Sequence, residues 1–225
     1  MRLKVLHKEK DFIVIHKPSG LVVYPDSKEM MGKSAIEFLQ KQMGKKLFPV
    51  HRLDRQTCGI LVYALTPVMA AKLTELFRSR AVRKQYLAIV HGAMPKSGVI
   101  DKDLPKNKEK TLQPARTDYV CLAQKEIDTG EEKRIYSLVK LDPRTGRYHQ
   151  IRRHLRSTGN PIVGDTEYGN KWDLRYFAEH YGVKRALLSA TDLIFPDPYR
   201  GLPIKIHTKP DEDFLSLCKK FEWRI

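Results

Sequence analysis

Cysteine is scarce in this chain, and the little there is does not pair: Cys58, Cys121 and Cys218 are odd in number, far apart and without a CxxC. That excludes a disulfide scaffold and a zinc knuckle, and fits a reducing compartment. No apolar run approaches the roughly 18 residues that cross a bilayer. The opening MRLKVLHKEKDF carries charges throughout, unlike a signal peptide. A soluble, cytoplasmic protein is expected. Phosphate-loop glycines are missing as well, since the KPSG turn at Lys17 lacks both the glycine count and the following helix of a GxxxxGKS/T pattern. Nor is there a GxSxG, an HExxH or a dinucleotide fingerprint. Chemistry without a cofactor or a metal is the simplest expectation. With no internal repeat and no Pro/Ser-rich linker, residues 1–225 are expected to form one domain.

Acidic residues are in short supply against basic ones. Lys and Arg number 42 and Asp and Glu 26, a formal net charge of +16. Such an excess attracts polyanions, nucleic acid above all, although a basic surface can also be merely solvated.

Period and punctuation predict strands at residues 4–7 and 12–16, a helix over 34–43, a buried strand over 59–65, and a helix from Thr66 and Pro67 to near Arg80. Further strands fit 83–90, 117–123, 135–141 and 187–195. Helices fit 148–156, part of 171–184, and 211–221 with Asp211 as cap. Residues 102–113 are lysine-rich and without apolar rhythm, and a mobile loop is expected there. Hairpin-length connections outnumber crossover helices, which favours an α+β fold with a mixed, mainly antiparallel sheet flanked by helices.

Three stretches carry possible chemistry. In HRLDRQTCGILV, Asp54 lies between Arg52 and Arg55. Nearby guanidinium groups favour a carboxylate, so this residue suits a nucleophile or charge stabiliser better than a general acid, or else forms a plain ion pair. In LDPRTGRYHQIRRHL, helical spacing places His149, Arg152, Arg153 and Arg156 on one basic face and Ile151 and Leu155 toward the core. His149 and His154 are five apart, about 140° around a helix, and do not converge on a metal as i, i+4 ligands do. In RKQYLAIV, Tyr86 beside Arg83 and Lys84 is the combination that stacks a nucleobase while cations meet phosphate, or else a half-buried sheet residue.

KPSG, HRLDRQTCGILV, RKQYLAIV and LDPRTGRYHQIRRHL, in this order, resemble the successive motifs of the RluA family of RNA pseudouridine synthases. The resemblance spans roughly residues 3–207, and four ordered motifs are far more specific than any one of them. The segment NPIVGDTEYGNKWDLRYFAEHYGVKRALLSA and the ending FEWRI are most similar to the branch that modifies uridine 65 of transfer RNA.

The resemblance implies an enzyme that breaks the C1′–N1 bond of a uridine in RNA and rejoins C1′ to C5 of the same base. Asp54 stands at the essential aspartate that attacks ribose C1′ or uracil C6. Arg152 stands at the arginine that pairs with it, Arg52 at the residue filling the gap left by the extruded uridine, and Tyr86 at the aromatic residue stacking on the base. Tyr86 is also a candidate for the later proton removal, and Ile151 belongs to the apolar wall. Arg52, Arg55, Lys84, Arg147, His149 and Arg153 are the expected RNA contacts, with Lys106, Lys108 and Lys110 adding to them.

Cys58 departs from the family's usual serine, and a thiol exposed there would be reactive. With KPSG beginning at Lys17, no N-terminal S4 domain is expected. The expected partner is RNA, transfer RNA first, bound by a monomer. The same reaction on ribosomal RNA, or a catalytically silent RNA-binding assembly factor, stand as alternatives; an intact Asp54, Tyr86 and Arg152 set argues against the latter.

Overall fold

A computed structural model describes residues 1–25, 31–106, 111–130 and 132–225. In chain order the elements are β1 (Lys4–Lys8), β2 (Phe12–Lys17), α1 (Ala35–Met43), β3 (Phe48–Pro49), β4 (Cys58–Ala64), α2 (Pro67–Arg78), β5 (Arg83–His91) and β6 (Ser97–Asp101). There follow β7 (Leu104–Pro105), β8 (Leu112–Gln113), β9 (Arg116–Asp128), β10 (Lys133–Pro143), α3 (Gln150–Ser157), α4 (Lys171–Tyr181), β11 (Leu188–Pro196), β12 (Pro203–His207) and α5 (Glu212–Lys220). They form two compact units that interleave in sequence, one of residues 1–84 and 190–210, the other of 85–189 and 211–225.

In the first unit β1, β2, β4 and β11 lie side by side, with β12 on β11 and β3 on β4. Every residue of β4 is buried, which is why its sequence reads as a continuous apolar run rather than an alternation. Phe12, Val14, Ile60 and Val62 pack with Met69 and Leu73 of α2 and with Leu193 and Phe195 of β11. The helix starts where expected because Thr66 Oγ1 accepts the Met69 N–H at 3.2 Å and Pro67 occupies the first turn, where its missing donor costs nothing. Ser34 and Glu37 make a reciprocal capping box on α1. Gly59 has φ +115°, and a Cβ there would come within 2.1 Å of the Ala190 carbonyl oxygen, so glycine lets β4 and β11 approach.

In the second unit the order is β5, β10, β9, β6, and the ladders between them are antiparallel. Alternation along β10 sends Tyr136 and Leu138 to one face, with Phe177 of α4 and Phe214 and Leu217 of α5, and Val139 and Leu141 to the other, with Ile151 and Leu155 of α3. This is the α+β architecture with a largely antiparallel sheet that was expected.

Several elements differ from expectation. The strand placed at 117–123 runs on to Asp128, where mostly polar residues ladder with β10 and Ile127 packs against the core of this unit. Strands β6 and β12 were not foreseen, being short and half exposed. Residues 102–113, expected as a mobile loop, contain the β7–β8 ladder, with Leu104 buried and Lys106 N–H bonded to Thr111 O at 2.9 Å. Lys108 and Lys110 lie outside the described residues. Asp211 sits at the start of α5 but caps it with its backbone carbonyl, not its side chain. Among the described residues no helix is long and apolar enough to cross a membrane.

Candidate active site

The loop between β3 and β4 carries Asp54, and it is held at several points within the first unit. His51 is half-buried, stacks on Phe77 at 4.3 Å and accepts the Val62 N–H at Nε2, 3.0 Å away. That acceptor role requires a neutral ring. Burial, with the Lys84 charge nearby, pushes the His51 pKa down to about 3, so the contact persists through ordinary pH. Leu53 is buried, and the Thr57 N–H bonds to the Asp54 carbonyl at 3.1 Å, closing a turn.

The KPSG turn holds this loop from the other side. Lys17 is completely buried, and its ammonium donates to the carbonyls of Leu21 at 2.8 Å, Pro18 at 3.1 Å and Arg55 at 3.3 Å. Gly20, at φ +89°, donates its N–H to the same Arg55 carbonyl at 2.8 Å, and Ser19 Oγ donates to Gln56 O at 2.8 Å. The two motifs are therefore one bonded assembly, in which Asp54 is half-buried while Arg52 and Arg55 on either side of it are exposed. Cys58 is fully buried, so the reactive thiol envisaged for an exposed residue is not present.

In the second unit Tyr86 is half-buried on β5 opposite Leu141, packed against the cluster that contains Ile151. These two site residues share one apolar wall. The basic face expected of residues 149–156 is not one face. Arg152 is 4% exposed: its Nε donates to Asp165 Oδ2 at 2.7 Å and its Nη2 to Oδ1 at 2.8 Å, while Glu167 Oε2 is 3.2 Å away and the Tyr168 ring lies 4.9 Å from the guanidinium carbon. A charge so deeply buried needs a partner, and helical spacing alone could not reveal that one arrives from thirteen residues downstream.

His149 is not in the helix but caps it at φ 50°, stacked on Tyr148 at 3.7 Å, with Nδ1 3.2 Å from the Tyr168 hydroxyl. Arg153 Nη1 donates to Pro105 O at 3.0 Å and Arg147 Nε to Pro114 O at 3.1 Å, so both hold the base of the β7–β8 hairpin as well as carrying charge. His154 is buried between Thr117 Oγ1 and the Lys102 carbonyl, and burial lowers its pKa. Lys84, also an expected RNA contact, is half-buried on β5.

Asp165 is the site residue the sequence reading missed. It is wholly buried. Burial alone would raise its pKa, but the Arg152 bonds and charge, with the N–H groups of Tyr168 and Glu167, hold its carboxyl below the ordinary range. The signal available was GDTEYG, two glycines bracketing two carboxylates and a tyrosine. Beside it a cavity of about 400 Å³ is lined by Arg156, Glu167, Tyr168, Gly169, Asn170 and Lys171.

A fastened aspartate, an aromatic ring on an apolar wall and a buried arginine are the groups a covalent rearrangement of a nucleoside would use. Residues 11–157 match the model of the family described as RNA pseudouridylate synthase. The chain belongs to the RNA pseudouridylate synthase family. Pseudouridine synthases isomerise uridine in RNA, and this chain is such an enzyme, with RNA as its substrate.

The tRNA pseudouridine synthase C of Pasteurella multocida is 36% identical over 242 residues, covering 100% of this chain and 98% of that one. That of Haemophilus ducreyi is 37% identical over 240 residues, with 100% and 98% covered. Among solved structures, human RNA pseudouridylate synthase domain containing 4 superposes with a TM-score of 0.76 at 26% identity, covering 99% of this chain and 94% of that one.

Proposed function

We propose that this pseudouridine synthase acts on transfer RNA, at uridine 65, with Asp54 as the nucleophile. The observation that supports this reading best is full-length similarity, above one third identity, to enzymes named tRNA pseudouridine synthase C. The substrate uridine leaves its stack, since its reacting atoms are inaccessible inside a paired stem, and Arg52, exposed on the Asp54 loop, fills the space it vacates. The base then lies against Tyr86 and the Ile151 wall.

The Asp54 carboxylate attacks ribose C1′ or uracil C6. By the first route the C1′–N1 pair of electrons leaves with uracil, and the base turns. C5 then displaces the carboxylate from C1′, and the proton on C5 is removed while N1 gains one. By the second route the carboxylate adds to C6, the C1′–N1 bond breaks with its electrons on the base, the turned base joins C5 to C1′, and loss of the C5 proton expels the carboxylate from C6 while N1 gains a proton. Tyr86 is the candidate to take the C5 proton. Arg152 is the proposed partner of the Asp54 carboxylate. Arg55, Lys84, Arg147, His149 and Arg153 contact the RNA backbone, and the enzyme works as a monomer in the cytoplasm.

The test is pseudouridine mapping, by carbodiimide adduct and primer extension, on separate transfer RNA and ribosomal RNA transcripts, with the wild-type protein and Asp54→Asn. A stop at position 65 of transfer RNA that vanishes in Asp54→Asn while RNA binding persists is expected. Modification of ribosomal RNA alone would discard the substrate, and an active Asp54→Asn would discard the nucleophile.

A further inference from the structure

The loop of residues 164–169 is built around one carboxylate. Asp165 Oδ1 accepts three hydrogen bonds, from Arg152 Nη2 at 2.8 Å and from the N–H groups of Glu167 at 3.0 Å and Tyr168 at 3.1 Å, and Oδ2 accepts Arg152 Nε at 2.7 Å. The backbone is shaped to put it there. Gly164 has φ +79°, and a Cβ on it would come within 1.9 Å of the Arg185 carbonyl oxygen; a Cβ on Gly169 would meet the Asp165 carbonyl oxygen at 2.1 Å. Both glycines therefore allow an approach that no other residue permits.

A buried ion pair is a weak device for stability, because desolvating both charges consumes much of what their attraction returns. Its strength is geometric. A bidentate carboxylate fixes the plane of a guanidinium and its rotation about the side-chain axis, and the Tyr168 ring lies 4.9 Å from the guanidinium carbon.

We propose that Asp165 is a positioning residue for the isomerisation, locking the Arg152 guanidinium in the one orientation in which it serves the reacting aspartate. The inference rests on the reading above that Arg152 partners Asp54. Asp165 touches no reacting atom and acts through Arg152 alone. Glu167, half exposed in its side chain and 3.2 Å from Nη2, is a lesser second partner.

The experiment measures single-turnover pseudouridine formation and RNA affinity, on a transfer RNA transcript, for Asp165→Asn, Asp165→Glu, Arg152→Lys and the double variant Arg152→Lys/Asp165→Asn. Asp165→Asn keeps the shape and the acceptor for the two N–H groups but loses the bidentate charge. The rate is expected to fall by about 100-fold, as for a small misplacement of a catalytic group, with Kd within about twofold.

Asp165→Glu keeps the charge and is expected to keep the pair, at the cost of a lower Tm for the extra methylene packed into a buried site, which displaces the carboxylate. At a temperature where it is folded its rate is expected to fall at least tenfold, and it decides the matter if Asp165→Asn does not fold. In the Arg152→Lys background, Asp165→Asn is expected to add little, because there is no guanidinium left to orient. A full rate in Asp165→Glu, or an undiminished effect of Asp165→Asn in the Arg152→Lys background, overturns the proposal. Failure of the underlying reading shows elsewhere, as an Asp54→Asn or Arg152→Lys enzyme of wild-type rate.

Discussion

Lys17 is the residue whose removal best tests whether the two N-terminal motifs act as one assembly. Its ammonium is wholly buried and meets three backbone carbonyls, one of them belonging to Arg55, the residue after Asp54. Replacing it with Met keeps the apolar stem and removes the charge. Each hydrogen bond to a charged group is worth roughly 1.5–3 kcal/mol, and each buried carbonyl left without a donor costs roughly 1–3 kcal/mol. Against that, the desolvation of the ammonium, several kcal/mol, is no longer incurred. The net loss expected for Lys17→Met is about 3–5 kcal/mol, inside the range of roughly 2–6 kcal/mol set by the Pro18 and Leu21 carbonyls left without this donor at roughly 1–3 kcal/mol each. In a chain of this size that lowers Tm by roughly 6–20 °C.

The carbonyl of Arg55 also receives the Gly20 N–H, so the loop is loosened rather than freed. If Asp54 is the nucleophile proposed above, a displacement of its carboxylate by about 1 Å is expected to lower the rate by about 100-fold. The assay is therefore double: thermal unfolding by circular dichroism, and single-turnover pseudouridine formation at a temperature where the variant is fully folded. A Lys17→Met protein that keeps Tm within about 2 °C and its rate within about threefold would refute the argument, since neither the fold nor the loop would need the ammonium.

Three other outcomes are expected. The lowered His51 pKa, about 3 against an ordinary 6.5, means that the unfolded chain binds a proton the folded one refuses: stability is full above 6.5 and is lost as pH falls toward 3. Urea titrations between pH 4 and 6.5 should show a slope that His51→Gln flattens by about 1.4 kcal/mol per pH unit, and an equal slope in the variant would contradict the neutral ring that accepts the Val62 N–H. Gly59→Ala should give insoluble or grossly destabilised protein, since its Cβ would meet Ala190 O at 2.1 Å, whereas Gly44→Ala, at φ 63° with open space around it, should cost only about 1 kcal/mol in urea unfolding. Arg55→Gln, at an exposed position, should reduce the slope of log K against log salt by about 0.7–0.9 in RNA binding, and an unchanged slope would remove that residue from the phosphate contacts.

Motif order and local chemistry are written in the chain at short range, which is why they could be read from it. Thr66-Pro67 starts a helix because the cap and the fixed φ act within one turn. The apolar stretch after HRLD is a strand because its length and β-branching leave few alternatives, and KPSG turns because Gly20 takes φ +89°. The family resemblance is local in the same way, four motifs in order, and it put Asp54, Tyr86 and Arg152 forward before any fold was known.

What the chain could not show by itself depends on groups that meet from a distance. Helical spacing put Arg152 on an exposed basic face; burial put it on Asp165, thirteen residues away, and that choice is made by a loop that two glycines allow to close. Nothing in KPSG shows that Lys17 is buried on three backbone carbonyls, one of them contributed by Arg55 far along the chain. The hairpin at residues 104–113 pairs its ends although its sequence has no strand rhythm, because Arg153, Arg147 and His154 hold backbone carbonyls at or beside its base. Composition and motif order thus determined that this is a basic, RNA-directed enzyme. Which of its charges would be spent on RNA and which on its own backbone was decided only by tertiary packing, because a buried charge must find its partner wherever the fold brings one.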